Sequence, residues 1–219
     1  MMGARRHEDP AVVDGKRARL LEPHVAPITE LARRIEDAVG LQVPAADPDW
    51  GGVDARVLVL LRDPGTRTDA QGGSGLVSPD NDDPTAERLH ELIGGRGLAA
   101  GDVLLWNVVP WLRPGNAGQG IRVADLDRGN GYLAQLLSLL VNLEVVLVLG
   151  RDAQGSMDRP TAPDLTCVVR IDAPHSSRRA QNQQPLYEAL DAAFETAAAA
   201  ITGCLPAGSV VSTWPGEQT

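Results

Sequence analysis

Two largely apolar runs, ARVLVLL at 55–61 and VVLVLG at 145–150, constrain the fold more than any other feature of the chain. They are rich in branched aliphatic residues and lack the polar–apolar alternation of a strand with one wet face. Strands of this kind are covered on both faces, as in a parallel sheet. DVLLWNVVPW at 102–111 and LTCVVRID at 165–172 are predicted as two more strands.

Helical patterns lie between and around these strands. One apolar stripe ends at Gly40, and a second helix begins after Asp83, a good N-cap followed by proline. Segments 131–143 and 184–203 are predicted as further helices. Alternating strands and helices predict the α/β class, as a three-layer α/β/α sandwich around a central, mainly parallel sheet of four strands.

The length and composition predict one folded domain. A chain of 219 residues that is 43% hydrophobic is long enough for one ordinary core and too short for two. Residues 1–16 are polar and charged, which indicates a loose, flexible leader, and 205–219 lack any period, which indicates an irregular tail. The domain is therefore expected over residues 17–204.

Charge and cysteine content exclude several classes of function. A net charge of −9 argues against broad, charge-driven adhesion to nucleic acid, so any such contact has to be local. Two cysteines supply neither a disulfide framework nor an iron–sulfur cluster, and the four histidines have no zinc-site spacing. We therefore expect no metal and no cofactor.

No apolar stretch is long enough to cross a bilayer, and the N-terminus lacks the hydrophobic core of a signal peptide. These features predict a cytoplasmic protein without a membrane partner. We expect it to be a monomer.

Polar residues lie late in, or directly after, three of the predicted strands. Asp63 comes after the first strand, Asn107 lies late in the second, and His175 follows the fourth. Taken alone, each has an ordinary structural explanation: a turn, a buried amide or a cap. Because the carboxyl ends of parallel strands meet at one edge, their joint occurrence favours a single site.

In order and spacing, LLRDPG, LLWNVVP and APHSSRR resemble the conserved elements of the uracil-DNA glycosylase superfamily over roughly residues 55–200. The segment SGLVSPDNDDPTAERL further resembles a bacterial branch of that superfamily without an iron–sulfur cluster, in agreement with the cysteine content. The resemblance implies a DNA repair enzyme that acts in the cytoplasm, associated with the nucleoid.

The resemblance also implies roles for individual residues. Asp63 would orient the attacking water and face the cationic sugar, and His175 would hydrogen-bond the O2 of uracil; these two are the catalytic candidates. Asn107 would read the base through its amide. The remaining base-binding candidates are Pro64, Gly65, Leu76 and Val77, and the candidates for DNA contact are Ser176, Ser177, Arg178 and Arg179.

The sequence departs from the superfamily pattern at two positions. Ser176 stands where a proline is usual, which leaves the loop less rigid. Leu76 or Val77 stands where an aromatic ring usually stacks on the base, which removes about 1–3 kcal/mol of stacking.

The expected function is excision of uracil, or a related deaminated base, from DNA by hydrolysis of the N-glycosidic bond after base flipping. DNA that contains such a base is the expected partner. One alternative is a member of the same fold that binds a nucleobase or DNA with weak or no turnover. Another is an N-glycosidase for free nucleosides or for another damaged base such as hypoxanthine.

Overall fold

The computed structural model describes residues 3–113, 115, 119–177 and 182–215. The strands of the described residues are β1 (Ala45–Ala46), β2 (Val57–Leu61), β3 (Leu76–Val77), β4 (Val103–Asn107), β5 (Val145–Leu149), β6 (Val169–Ala173) and β7 (Val210–Ser212). The central sheet has five parallel strands in the order β4-β2-β5-β6-β7. A separate two-stranded parallel ladder, β1-β3, lies beside it.

Helices cover both faces of the central sheet. The helices of the described residues are α1 (Pro10–Arg17), α2 (Ala26–Val39), α3 (Pro84–Gly95), α4 (Val123–Leu137), α5 (Arg151–Met157) and α6 (Gln184–Ala200). On one face of the sheet, α2, α4 and α5 pack against the side chains of Leu58 and Leu60, and on the other face α3 and α6 pack against Val57 and Val59. The predicted three-layer α/β/α sandwich is confirmed.

Strand β2 explains why the sequence lacks alternation. Its residues Val57 to Leu60 are all fully buried, because each successive side chain enters one of the two hydrophobic layers. Full burial of one such side chain contributes about 1.5–3 kcal/mol. None of the described helices is long and apolar enough to cross a membrane.

Two helix boundaries follow the predicted local chemistry. Asp83 caps α3, its Oδ1 accepting hydrogen bonds from the backbone N–H groups of Thr85 at 2.9 Å and Ala86 at 3.0 Å. Gly40 ends α2 with a positive φ of 69°, a conformation that glycine adopts without strain.

The number of strands corrects the prediction of four. Val210–Ser212, inside the segment expected to be an irregular tail, forms β7 and pairs in parallel with β6. A three-residue edge strand is too short to give a periodic signal, and Val210 remains exposed. Its pairing with β6 is therefore visible only in the assembled sheet.

The N-terminal segment also differs from the expected loose leader. Its described part contains α1, whose Lys16 is buried with its ammonium 2.6 Å from a carboxylate oxygen of both Asp47 and Asp80. Arg6 contacts Asp80 as well, at 3.2 Å. The charged residues that suggested solvation are thus paired with acidic residues distant in the sequence.

Candidate functional site

A cavity of about 800 Å³ opens at the carboxyl ends of β2, β4, β5 and β6. Its volume is in the range usual for small-molecule sites, about 300–1,000 Å³. Seven of the residues expected at the site line it: Asp63, Pro64, Gly65, Val77, Asn107, His175 and Ser177.

Both carboxylate oxygens of Asp63 are held by arginines. Arg62 donates from Nε to Oδ1 at 2.5 Å, and Arg113 donates from Nε to Oδ2 at 3.0 Å and also from Nη2. The carboxylate is therefore oriented by charge-assisted hydrogen bonds on two sides. Arg62 additionally pairs with Asp152, across the rim of the cavity, at 3.1 Å.

The hydrogen bonding of His175 fixes its tautomer. The backbone N–H of Ser177 donates to Nδ1 at 3.0 Å, so Nδ1 is the acceptor and Nε2 carries the hydrogen of the neutral ring. Burial lowers the pKa of His175, and the positive charge of Arg62 lowers it further, while Asp63 acts in the opposite direction. The ring is thus held as a neutral hydrogen-bond donor.

Gly150 makes room for this imidazole. Its φ is 91°, and a Cβ at this position would lie 3.3 Å from the Cβ of His175. Nearby, Gln154 donates from Nε2 to the carbonyl oxygens of Val148 at 3.0 Å and Ala173 at 2.9 Å. These contacts fix the end of β6, directly before His175.

Asn107 lies at the end of β4, paired in register with Leu61, and is only 2% exposed. Within the described part of the chain, its carboxamide has no hydrogen-bond partner. The side chain therefore offers the cavity one donating and one accepting group.

The two candidates for the stacking position differ in placement. Val77 lines the cavity, whereas Leu76 is fully buried and is not among the lining residues. None of the described residues that line the cavity is Phe, Tyr or Trp. Its apolar surface comes from aliphatic side chains, among them Leu61, Leu89 and Leu105.

The loop after β6 is described only in part. Ser177 lines the cavity, whereas Ser176 is fully buried and is not among the lining residues. Arg178 and Arg179, the residues expected to contact phosphate and fill the gap in the duplex, lie outside the described residues.

Several charged residues at the cavity were not predicted. Arg113 clamps Asp63 from the segment after β4, and Arg62, Arg151 and Asp152 line the cavity beside it. Arg62 directly follows β2, Arg151 and Asp152 come within three residues of the end of β5, and Arg113 follows β4 at a short distance. Examining every residue after each strand, and not only the motif positions, would have included them.

A further group of candidate metal ligands lies away from the cavity. His7, Asp47 and Asp80 bring one ligand atom each within 4.8 Å of one another. The ammonium of Lys16 contacts both carboxylates at 2.6 Å, so the protein's own cation takes the place of an ion.

Comparison with known proteins bears on the family to which the chain belongs. No curated protein matches the chain significantly. The profile of the Uracil DNA glycosylase superfamily matches residues 48–198, more than half of the chain and a range that includes Asp63, Asn107 and His175. The branch without an iron–sulfur cluster stays a prediction. The chain belongs to the uracil-DNA glycosylase superfamily.

Proposed function

We propose that the protein removes uracil, or a closely related deaminated base, from DNA by hydrolysing the N-glycosidic bond of an extruded nucleotide. One observation carries the proposal. A neutral imidazole with Nε2–H lines the same cavity as a carboxylate and a carboxamide that has no hydrogen-bond partner among the described residues. This set matches the three chemical demands of the reaction: a developing anion, a developing cation and a base to be read.

Asn107 supplies the base selectivity in this proposal. Its oxygen can accept the N3 hydrogen of uracil, and its NH₂ group can donate to O4. Cytosine presents the opposite pattern at these two positions. A carboxamide that presents its oxygen to N3 and its NH₂ group to O4 therefore disfavours the normal base.

His175 stabilises the leaving group. The C1′–N1 bond breaks with its electron pair going to the base, so negative charge accumulates on O2 of uracil. Donation from Nε2–H to that oxygen contributes roughly 3–4 kcal/mol, by analogy with oxyanion holes. The low pKa of His175 favours this neutral form at physiological pH.

Asp63 serves the sugar side of the reaction. As C1′ becomes cationic, a water oxygen forms the new bond to it and passes a proton to the carboxylate. The departing uracil anion takes up a proton from solvent and the carboxylate returns its proton to solvent, which balances the hydrolysis. A well-placed general base contributes a factor of about 10²–10⁴.

The aliphatic lining of the cavity predicts weak binding of the base. A stacked aromatic ring contributes about 1–3 kcal/mol per base, and in the described residues Val77 stands at this wall instead. We therefore expect a modest affinity for the flipped base, with turnover depending on Asn107, His175 and Asp63.

The proposal is tested by base release from single- and double-stranded oligonucleotides that contain uracil, hypoxanthine or xanthine, followed by alkaline cleavage at abasic sites. We expect wild type to give scission at uracil, and the rate of this scission to be at least about a hundredfold lower in Asp63→Asn and in His175→Ala. Asp125→Asn, which removes a carboxylate paired with Arg122 outside the cavity, is the matched control and keeps wild-type activity.

A second candidate function is recognition of DNA or a nucleobase without turnover. The double pairing of Asp63 with arginines favours it, because a carboxylate bonded on both oxygens is a poor acceptor for a proton from water. Binding of uracil-containing DNA without scission under any tested condition supports this candidate and overturns excision.

A further inference from the structure

The two arginines that hold Asp63 have different surroundings. Arg113 is 9% exposed and also donates to the carbonyl oxygens of Gln119 and Gly120, both at 3.2 Å. It is thus tied on both sides and is not among the residues that line the cavity. Arg113 serves as a positioning residue that fixes the direction of the carboxylate.

Arg62 is the more accessible partner. Its side chain is 24% exposed and lines the cavity, and its second partner, Asp152, is itself 57% exposed. Loss of the exposed Asp152 partner costs little, because exposed ion pairs are worth about 0–1 kcal/mol in water. The carboxylate of Asp63, whose side chain is only 9% exposed, keeps the charge of Arg113 beside it when Arg62 moves to another anion. Arg62 can therefore leave Asp63, whereas Arg113 stays in place.

An anion that reaches the mouth of the cavity meets several guanidinium groups. Arg62, Arg67 and Arg151 all line it, although the whole chain carries a net charge of −9. Guanidinium groups form two parallel hydrogen bonds with a phosphate, a geometry that competes well with a carboxylate. The backbone of DNA supplies such phosphates beside an extruded nucleotide.

We propose that Arg62 binds the phosphodiester beside the extruded nucleotide and that this transfer frees Oδ1 of Asp63 for the attacking water. The inference rests on the proposed function. Before DNA binds, Arg62 occupies the oxygen that water has to approach. With Arg62 on the phosphate, Arg113 alone holds Oδ2, and Oδ1 can accept a proton. Catalysis is thereby coupled to the presence of a charged DNA backbone.

The coupling predicts that substitution of Arg62 has opposite effects on two DNAs. The first oligonucleotide contains deoxyuridine with ordinary phosphodiesters, and the second has neutral methylphosphonate linkages on both sides of the deoxyuridine. In wild type, neutralising these linkages slows single-turnover excision roughly tenfold to a hundredfold, because Arg62 stays on Asp63. Arg62→Gln is slower than wild type on ordinary DNA and faster than wild type on the neutral DNA.

Two further variants sharpen this test. Arg62→Lys keeps the charge, and we expect it to retain most of the sensitivity to methylphosphonate. Arg122→Gln removes an exposed arginine outside the cavity and keeps the full wild-type sensitivity. Melting temperatures of all variants check that folding is preserved. The inference is overturned if Arg62→Gln responds to methylphosphonate as strongly as wild type does.

Dissociation constants for the same two DNAs, measured by fluorescence anisotropy, separate this inference from the proposed function. If Arg62→Gln excises uracil and responds to methylphosphonate as wild type does, the proposed function is supported and the proposed role of Arg62 is overturned. If no base is released, but binding by wild type depends on phosphate charge and binding by Arg62→Gln does not, the phosphate contact of Arg62 is supported. The glycosylase activity and the freeing of Asp63 are then both overturned. Absence of binding to either DNA overturns both.

Discussion

Substitution of Lys16 by methionine is expected to destabilise the protein strongly. Methionine fills a similar volume but removes the ammonium that lies 2.6 Å from both Asp47 and Asp80 and 3.3 Å from Asp49. Lys16, Asp47 and Asp80 have side chains that are at most 2% exposed. The variant therefore leaves buried carboxylates without their main counter-charge.

The magnitude follows from the geometry of this cluster. Loss of one partner of a buried ion pair costs about 3–5 kcal/mol. Arg6 still contacts Asp80 at 3.2 Å, which places the expected loss toward the lower end, about 3 kcal/mol. For a domain of this size each kcal/mol lowers the melting temperature by roughly 2–4 °C, so we expect a decrease of about 6–12 °C.

The same substitution is expected to disturb the cavity. Asp80 belongs to the segment that contributes Ser78, Asn81 and Asp83 to the cavity wall. Loss of the Lys16 contact releases this segment, so weaker DNA binding should accompany the lower stability.

Urea and thermal denaturation measure the effect on stability. Arg34→Met, on the exposed side of α2, is the control and is expected to change stability by less than about 0.5 kcal/mol. Adding Asp80→Asn to Lys16→Met should recover part of the loss, because it removes one uncompensated charge. If Lys16→Met lowers the free energy of unfolding by less than about 1 kcal/mol, the reasoning is refuted and the N-terminal segment contributes as little to stability as a loose leader would.

Three further predictions concern Gly150 beside His175 and the pH dependence of stability through His175 and Asp49. Gly150→Ala forces a side chain into a positive φ and against His175, so we expect a loss of about 1–2 kcal/mol in urea denaturation and at least a tenfold slower excision. Because burial lowers the pKa of His175, the unfolded chain binds a proton below about pH 6.5 that the folded chain does not. Stability should therefore fall as the pH drops through this value, and less steeply in His175→Asn; an equal slope in the variant contradicts this. Burial would raise the pKa of Asp49, but hydrogen bonds from Arg19 and Arg6 and the charge of Lys16 lower it to about 2. The stability that Asp49 contributes is present above its pKa in the unfolded chain, near 3.8, and is lost as the pH falls toward 2. In Asp49→Asn, the free energy of unfolding should therefore fall less over this pH range than it does in wild type.

The architecture was largely predictable because its strongest signal is local. Continuous apolar runs identified β2 and β5, and the rule that strand ends share one edge brought Asp63, Asn107 and His175 to one cavity. Element boundaries were less accurate, since the helix predicted at 131–143 is Val123–Leu137.

The features that escaped prediction depend on contacts between distant residues. Arg113 clamps a carboxylate fifty positions away, and Lys16 pairs with Asp47 and Asp80. Which of Leu76 and Val77 lines the cavity depends on how β3 pairs with β1. Composition and periodicity carry no information on such pairings, because each is decided when separate segments pack together.

Identification of the released base by chromatography and mass spectrometry, after one turnover on a duplex with a single uracil, tests the central claim most directly. Wild type is expected to yield one free uracil for each abasic site formed. Asn107→Leu, similar in size but without a carboxamide, is expected to be slower by at least about tenfold, since the contacts of uracil N3–H and O4 with Asn107 are lost. An intact oligonucleotide with wild type, or equal release by the variant, would contradict the account.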